Sequence, residues 1–398
     1  MKKKFVCSAL AMAVTASMLF GCAGEGTTGT TAAGTTAAGT TTAAGKDAET
    51  TAAAKETAAA SGEKLKVSLL VTGSFGDKAF NDSAQAGMEK MKTELGDQVD
   101  VEMVEMGSDK TKFEGSLLDA SESDSDIIII GTWDMKEITE KVAQEFPDKK
   151  YIIFDTDVDY TLGDLSNVYS MSYKQNEAAF LAGVLAASVT TSDMEFANAD
   201  AVIGFVGAKD TAAVINDSAV GYIEGAQFVN PDIKVLVSYV GSYVDSATAK
   251  ELALTQYSSG ADCVFVAAGP ASVGVIEAGT ESKKYVIGVD SDQALAYEGG
   301  EEANYIISSA IKGVGDSLVS SVKRALDGKL PYGEYETLGL ADNAVGLADN
   351  DIYKTVVPET VRTAVDAAKE KLLAGDVKVD TAYGMEEAAL KEIISSAQ

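Results

Sequence analysis

Short apolar runs alternate with stretches of mixed polarity along most of this chain. Runs at 67–71, 101–104, 127–130 and 151–154 read as strands, and apolar positions recur at helical spacing over 81–95, 112–121 and 135–145. Strand and helix in unbroken alternation is the pattern of a doubly wound parallel sheet. The pattern then restarts. A strand at 168–171 leads into a long Ala- and Leu-rich helix at 175–188, and further strands follow at 201–206, 234–239, 263–267 and 285–289. The strand runs are apolar at nearly every position, so helices should cover both faces of each sheet. A body of about 335 residues suits two lobes better than one core. The expected class is therefore α/β: two doubly wound parallel sheets joined by a hinge, an architecture suited to closing on a small ligand. The first lobe is expected at 63–170 plus 310–335, the chain returning to it near 309–312, and the second at 171–309 plus 336–355. A helix is expected over 315–326, stopped by Gly328 and Pro331. A C-terminal helical segment, 356–398, carries a helix over 359–374 between Pro358 and Gly375.

Residues before 63 follow different rules. Lys2, Lys3 and Lys4 precede an apolar run from Phe5 to Phe20, then Gly21 and Cys22. A basic start, a short apolar stretch and a small residue before the cut predict a secretory signal over 1–21. The run is short for a spanning helix, which needs about 20 apolar residues; an uncleaved anchor is the alternative, and either places the rest outside the cytoplasm. Leu19-Phe20-Gly21-Cys22 resembles a bacterial lipobox, which implies lipidation of Cys22 and a chain held at the extracytoplasmic face of the cell membrane. Residues 22–62 are Gly, Thr, Ala and Ser with scattered charges and read as a disordered linker. As a flexible coil it would span roughly 35 Å.

Composition narrows the function. Acidic residues outnumber basic ones 61 to 32, for a formal net charge of −29. Nucleic acid is not an expected partner, because its binding rests on cationic contacts to phosphate. There is no histidine, which removes Ser-His-Asp, Cys-His and His-metal sites together; no cofactor or metal is expected. Of three cysteines, Cys7 lies in the signal and Cys22 at the cut. Cys263, alone in an apolar strand, reads as a small core residue.

In parallel α/β sheets ligands sit beyond the carboxyl ends of strands. The strand tips hold Asp77, Phe80 and Asn81, then Trp133, then Asp155 in the first half. In the second half they hold Lys209 and Asp210, Tyr243, Gly269, and Asp290 with Asp292; Lys312 follows later. Aromatics, amides and carboxylates together can stack a flat ring and hydrogen-bond a polyol. Each has a plainer reading. Phe80 and Trp133 could be core; Asp77, Asn81, Asp155 and Asp290 could cap helices; Lys312 could be a surface lysine. No phosphate-loop pattern follows any strand, and Asp290 and Asp292 need not face one substrate.

Eight stretches in order carry a resemblance: Gly76-Asp77-Lys78-Ala79-Phe80-Asn81; 127–133; 151–155; Asn176-Glu177-Ala178-Ala179-Phe180-Leu181-Ala182-Gly183; Ile203-Gly204-Phe205-Val206-Gly207; Gly260-Ala261-Asp262-Cys263-Val264-Phe265; Ile287-Gly288-Val289-Asp290-Ser291-Asp292-Gln293; and Ser308-Ser309-Ala310-Ile311-Lys312. Over about 64–379 the chain resembles the basic membrane protein family, the purine nucleoside receptor A-like binding lipoproteins of ABC transporters. The resemblance implies a type I periplasmic-binding-protein fold closing on a nucleoside. Phe80 would stack on the base, Asn81 and Asp155 would bond its edge, and Asp290 would take the ribose hydroxyls with Lys312 beside the sugar. The family's Phe-x-x-Gly-[Phe/Tyr] helix reads Ser218-Ala219-Val220-Gly221-Tyr222 here, so the second stacking face is absent or supplied elsewhere, Trp133 being one candidate. The glycine loop also departs, at Ala268-Gly269-Pro270-Ala271-Ser272.

The leading expectation is a non-enzymatic receptor delivering a small ligand, a nucleoside by resemblance, to an ABC permease in the membrane. A nucleoside-processing enzyme using Asp77, Asp155 or Asp290, and a surface adhesin or sensor input on the same fold, are the alternatives.

Overall fold

The computed structural model describes residues 64–398. The expected signal (1–21), Cys22 and the linker (22–62) lie outside the described residues.

The first sheet is built from β1 (Leu65–Val71), β2 (Val99–Glu105), β3 (Ile127–Gly131), β4 (Lys150–Phe154), β5 (Val168–Tyr173) and β11 (Tyr335–Leu338), in the order β11-β5-β4-β3-β1-β2. Every pairing in it is parallel. Helices α1 (Phe80–Leu95), α2 (Phe113–Glu122) and α3 (Lys136–Glu145) make its crossovers. The second sheet has β6 (Val202–Gly207), β7 (Lys234–Tyr239), β8 (Cys263–Ala267), β9 (Tyr285–Asp290), β10 (Ile306–Lys312) and β12 (Val345–Leu347), ordered β12-β10-β9-β8-β6-β7. Only β12 runs antiparallel. Helices α4 (Gln175–Thr190), α5 (Ala213–Val229), α6 (Ser246–Ser258), α7 (Ser272–Ser282) and the short α8 (Gln293–Ala296) belong to this half. Both sheets follow one plan, with β4 and β9 each third in order. β3 and β8 are buried at every position, as strands covered on both faces must be.

Three lobe boundaries differ from the sequence expectation. The strand expected to open the second repeat, β5, lies in the first sheet between β4 and β11. The return to the first lobe does not occur near 309–312. Strand β10 stays beside β9, with Ile311 opposite Asp290, and the chain crosses at Gly313 into α9 (Val314–Leu326), which packs on α1. Residues 336–338, expected in the second lobe, belong to β11 on the first sheet. The reason is common to all three: the pattern of a strand records which positions can be buried, not which sheet receives it. Strands β5, β10 and the edge strand β11 differ in burial without that difference naming a neighbour.

The segment expected as a separate C-terminal unit joins the second lobe. After α10 (Asp351–Val356), α11 (Glu359–Ala374) packs on α4, and α12 (Glu387–Ser396) packs on α5. Gly375 ends α11 at φ 77, the left-handed stop that glycine takes without strain. Fourteen of the sixteen residues of α4 are buried, because α5 and α11 cover it along with the sheet. Contact between α4 and α5 is backbone to backbone. A Cβ on Gly183 would stand 2.1 Å from the Tyr222 oxygen, on Gly221 2.2 Å from that of Asn176, and on Gly225 1.9 Å from that of Phe180. Cys263 is buried, and burial pushes its thiol well up, so the reading of it as a core residue agrees with its surroundings.

Three crossings join the lobes, at Lys174, at Gly313 and along 339–344. They are bonded to each other: Lys174 N–H donates to the Leu338 oxygen at 2.8 Å, and Gly313 N–H to that of Ala344 at 2.8 Å. This three-stranded hinge lies at the carboxyl ends of β5 and β10, beside the strand tips.

Candidate functional site

The two sheets present their strand tips to one cleft, and the hinge puts Lys312, the last residue of β10, at its base. The Lys312 ammonium donates to Asp155 Oδ1 at 2.9 Å. Their side chains are only 8% and 12% exposed, so the surface-lysine reading fails. Asp155 follows β4 and Asp290 ends β9, equivalent places in the two sheets, and both are in the left-handed region at φ 61 and φ 66. That conformation costs a non-glycine residue of order 1–3 kcal/mol and collects at functional sites; aspartate tolerates it better than most.

The Asp290 carboxylate accepts no hydrogen bond from the described residues, and it caps no helix. Asp292 does that instead, accepting from Leu295 N–H at 3.4 Å and from the Asn350 amide at 2.8 Å, so the two acids face different ways. Burial pushes the Asp290 carboxyl up to about 6; the Lys312 ammonium pulls against this, while Asp155 and Asp77 add to it. Burial opposes the charge on Lys312, but Asp155 and Asp290 outweigh it and the ammonium is held firmly. The cleft base is thus a lysine between two aspartates, one bonded and one without a donor.

Above this cluster sits Phe80, the first residue of α1. It is half-buried, stacked on Phe154 with centroids 5.6 Å apart and planes at 25°, and the Lys312 ammonium lies 5.4 Å from its centroid. The loop before α1 holds it there. Asp77 accepts from the backbone N–H groups of Ala79 at 2.9 Å, Asn81 at 2.9 Å and Asp82 at 3.1 Å, capping the helix. The Asn81 amide donates to the oxygens of Thr72 and Ser74. Sequence reasoning passed over Phe154 because it ends a core strand. Its one signal is the neighbouring Gly131, where a Cβ would stand 2.4 Å from the Phe154 ring.

Trp133 is 57% exposed and not core. The Lys110 ammonium lies 4.7 Å from its ring and bonds Asp134 at 2.6 Å. In the second lobe, burial pushes the Tyr243 phenol up, with Lys312, Asp155, Asp290 and Asp134 all acting on it. The Tyr243 ring passes over Gly269, where a Cβ would meet it at 3.5 Å. At the front, Ser291 donates to the Lys78 oxygen at 2.6 Å and the Lys78 ammonium lies 3.8 Å from the Tyr297 centroid. That contact clasps the first lobe to the second. Among the described residues no three His, Cys, Asp or Glu side chains converge to hold a metal ion, and no helix is long and apolar enough to cross a membrane.

A family model described as ABC transporter substrate-binding protein PnrA-like matches residues 64–377. The chain belongs to that family. Relatives of this PnrA-like protein include basic membrane protein A of Borreliella afzelii, 30% identical over 333 residues, 83% of this chain and 95% of the relative. Another is the ABC transporter nucleoside-binding protein BmpA of Lactococcus lactis subsp. cremoris, 29% identical over 76% of this chain and 85% of its own length. Among solved structures, an ABC transporter solute-binding protein from Aeropyrum pernix K1 superposes with a TM-score of 0.70 at 23% identity, covering 84% of this chain and 98% of that one. This establishes the periplasmic-binding-protein fold. The PnrA-like chain is thus an ABC-transporter substrate-binding protein, a kind that works on the extracytoplasmic side, with a ligand cleft between its lobes.

Proposed function

We propose that the protein captures a nucleoside between its lobes and presents it to an ABC permease, held at the membrane by lipid on Cys22. The observation that carries the ligand class is the pairing of Phe80 with Asp290: a flat apolar ring on one lobe, and on the other a half-buried carboxylate with no donor of its own. A base stacks on Phe80, beside the Asn81 and Asp155 acceptors. Two vicinal ribose hydroxyls donate to Asp290, each charge-assisted bond being worth about 1.5–3 kcal/mol, and Lys312 sits next to the sugar. Asp77 lines the same wall and fixes the start of α1, Trp133 guards the rim, and Gly269 keeps the second-lobe loop close under Tyr243. The description of the Lactococcus relative as a nucleoside-binding protein supports the same ligand class. Only the closed form contacts ligand with both lobes, so binding draws the equilibrium to it.

The test is a thermal-shift panel of purine and pyrimidine nucleosides, free bases, ribose and hexoses. A nucleoside at 100 Kd should add about 2.7 kcal/mol, a rise of roughly 4 °C for a protein of this size. If every nucleoside leaves the melting temperature in place while a sugar raises it, the ligand class is wrong. The protein is a receptor and not an enzyme in this reading, so inosine held with it overnight yields no free base.

A further inference from the structure

The family match ends at residue 377, but the chain beyond it does not leave the cleft. The Asn176 amide, at the start of α4, donates to the oxygens of Val379 at 3.4 Å and Asp380 at 3.0 Å. Asp380 N–H donates to Glu224 at 3.0 Å. Asp217 is 1% exposed, and its Oδ1 accepts from the Thr381 hydroxyl at 2.6 Å and from Ala382 N–H at 2.9 Å. Its Oδ2 accepts from the Gln175 amide at 2.7 Å. A buried carboxylate is expensive unless its donors are supplied, and here two of them come from the tail. The far end is fixed as well, where Val235 N–H donates to the Ala397 oxygen at 2.6 Å. Residues 379–382 are thus a strap bonded to the first turn of α4 and to α5 between Asp217 and Glu224.

The next residue is Tyr383. Its hydroxyl accepts from the Gln175 amide at 3.4 Å, one residue past the hinge crossing at Lys174. The side chain is 46% exposed, although the segment before it is bonded down. Gln175 follows Tyr173 and Lys174 in the chain, and the Lys312 ammonium lies 5.7 Å from the Tyr173 centroid. The bond to Gln175 therefore sets the phenol at the hinge end of the cleft, on the side of the Asp155–Lys312 pair; after burial, both charges act on its ionisation. Lys312 is itself 5.4 Å from the Phe80 centroid. An aromatic ring with open surface therefore stands on the second-lobe side of the same cluster that Phe80 flanks from the first.

We infer that Tyr383 is a ligand-contacting, specificity-determining residue, which the C-terminal strap carries to the cleft and the Asp217 bonds hold there. Its ring offers a planar ligand a stacking surface, and its hydroxyl offers a polar edge a donor. This rests on the nucleoside reading above. In the intact protein, Tyr383→Ala should weaken nucleoside binding at least tenfold by titration calorimetry, with Tyr383→Phe between it and the wild type. The empty protein should melt within a degree or two of the wild type, because the substituted ring is half exposed. Nitration of Tyr383 by tetranitromethane, followed by peptide mass spectrometry on the wild-type protein, needs no variant. Saturating nucleoside should slow it severalfold. Unchanged affinity in Tyr383→Ala, or nitration that nucleoside does not slow, overturns the role of Tyr383 and leaves the nucleoside reading standing. Failure of the wild-type protein to bind any nucleoside overturns both.

Discussion

Replacing Lys312 by Met removes the cation paired with Asp155 at the cleft base while keeping most of the side chain's volume. Asp155 then loses its 2.9 Å partner at a site where its side chain is 12% exposed. Breaking a buried pair from one side costs about 3–5 kcal/mol, because the remaining charge is left without compensation. With an unfolding entropy of about 2.1 cal/mol/K per residue over the ordered body, that is a fall of roughly 4–7 °C in melting temperature. A second substitution, Asp155→Asn, should recover part of the loss in the double variant, since the unpaired charge is gone; a thermodynamic cycle reads the coupling. The pH dependence supplies an independent check. The Asp290 carboxyl is pushed up to about 6 in the folded protein from an ordinary 3.8. Between those values the native state binds more protons than the unfolded one, so this group's contribution to stability falls as pH rises from about 4 to 6 and is flat above. Its ceiling is about 3 kcal/mol for two pH units, reduced by whatever water reaches the carboxylate. Lys312 pulls the Asp290 carboxyl down, so in Lys312→Met the window should extend above pH 6. Melting curves from pH 4 to 9 on wild type and variant measure both effects. A loss under 1 kcal/mol with an additive double variant and an unmoved pH window would refute the account of the cleft base.

Three further outcomes follow from the same geometry. Gly225→Ala places a methyl 1.9 Å from the Phe180 oxygen and should cost about 1–3 kcal/mol or more by overpacking, whereas Gly115→Ala on α2, which meets nothing within 4 Å, should be neutral or stabilise by up to about 1 kcal/mol in urea melts. Nucleoside affinity should fall as pH drops below about 6, where Asp290 protonates and one carboxylate acceptor is lost; calorimetry at pH 5 and 8 reads it, and Asp290→Asn should remove most of the difference. Ser291→Ala deletes the 2.6 Å bond to Lys78 that clasps the lobes. It should raise the ligand off-rate severalfold in stopped-flow measurements with little change in melting temperature, and an unaltered off-rate would mean the clasp does not hold the closed form.

What the residues alone determined was local. Apolar runs and helical periodicity placed the strands and helices, the 359–374 helix to the residue. The rule that parallel sheets bind ligand at their carboxyl ends picked out Asp155, Asp290 and Phe80, because a strand tip is a sequence position. The ordered motifs identified the family, and with it Lys312. Periodicity records which face is buried and not which neighbour buries it, so only the tertiary structure could decide what joins what. It kept β10 beside β9, gave β11 to the first sheet, and paired Lys312 with Asp155 across 157 residues. It set Phe154 beneath Phe80 through the space left by Gly131, and turned Asp77 and Asn81 into braces for the loop that carries Phe80. The same holds for Tyr383: nothing in the tail's pattern marks it, and its place beside the cleft exists only because a buried carboxylate on α5 takes its hydrogen bonds from the residues just before it.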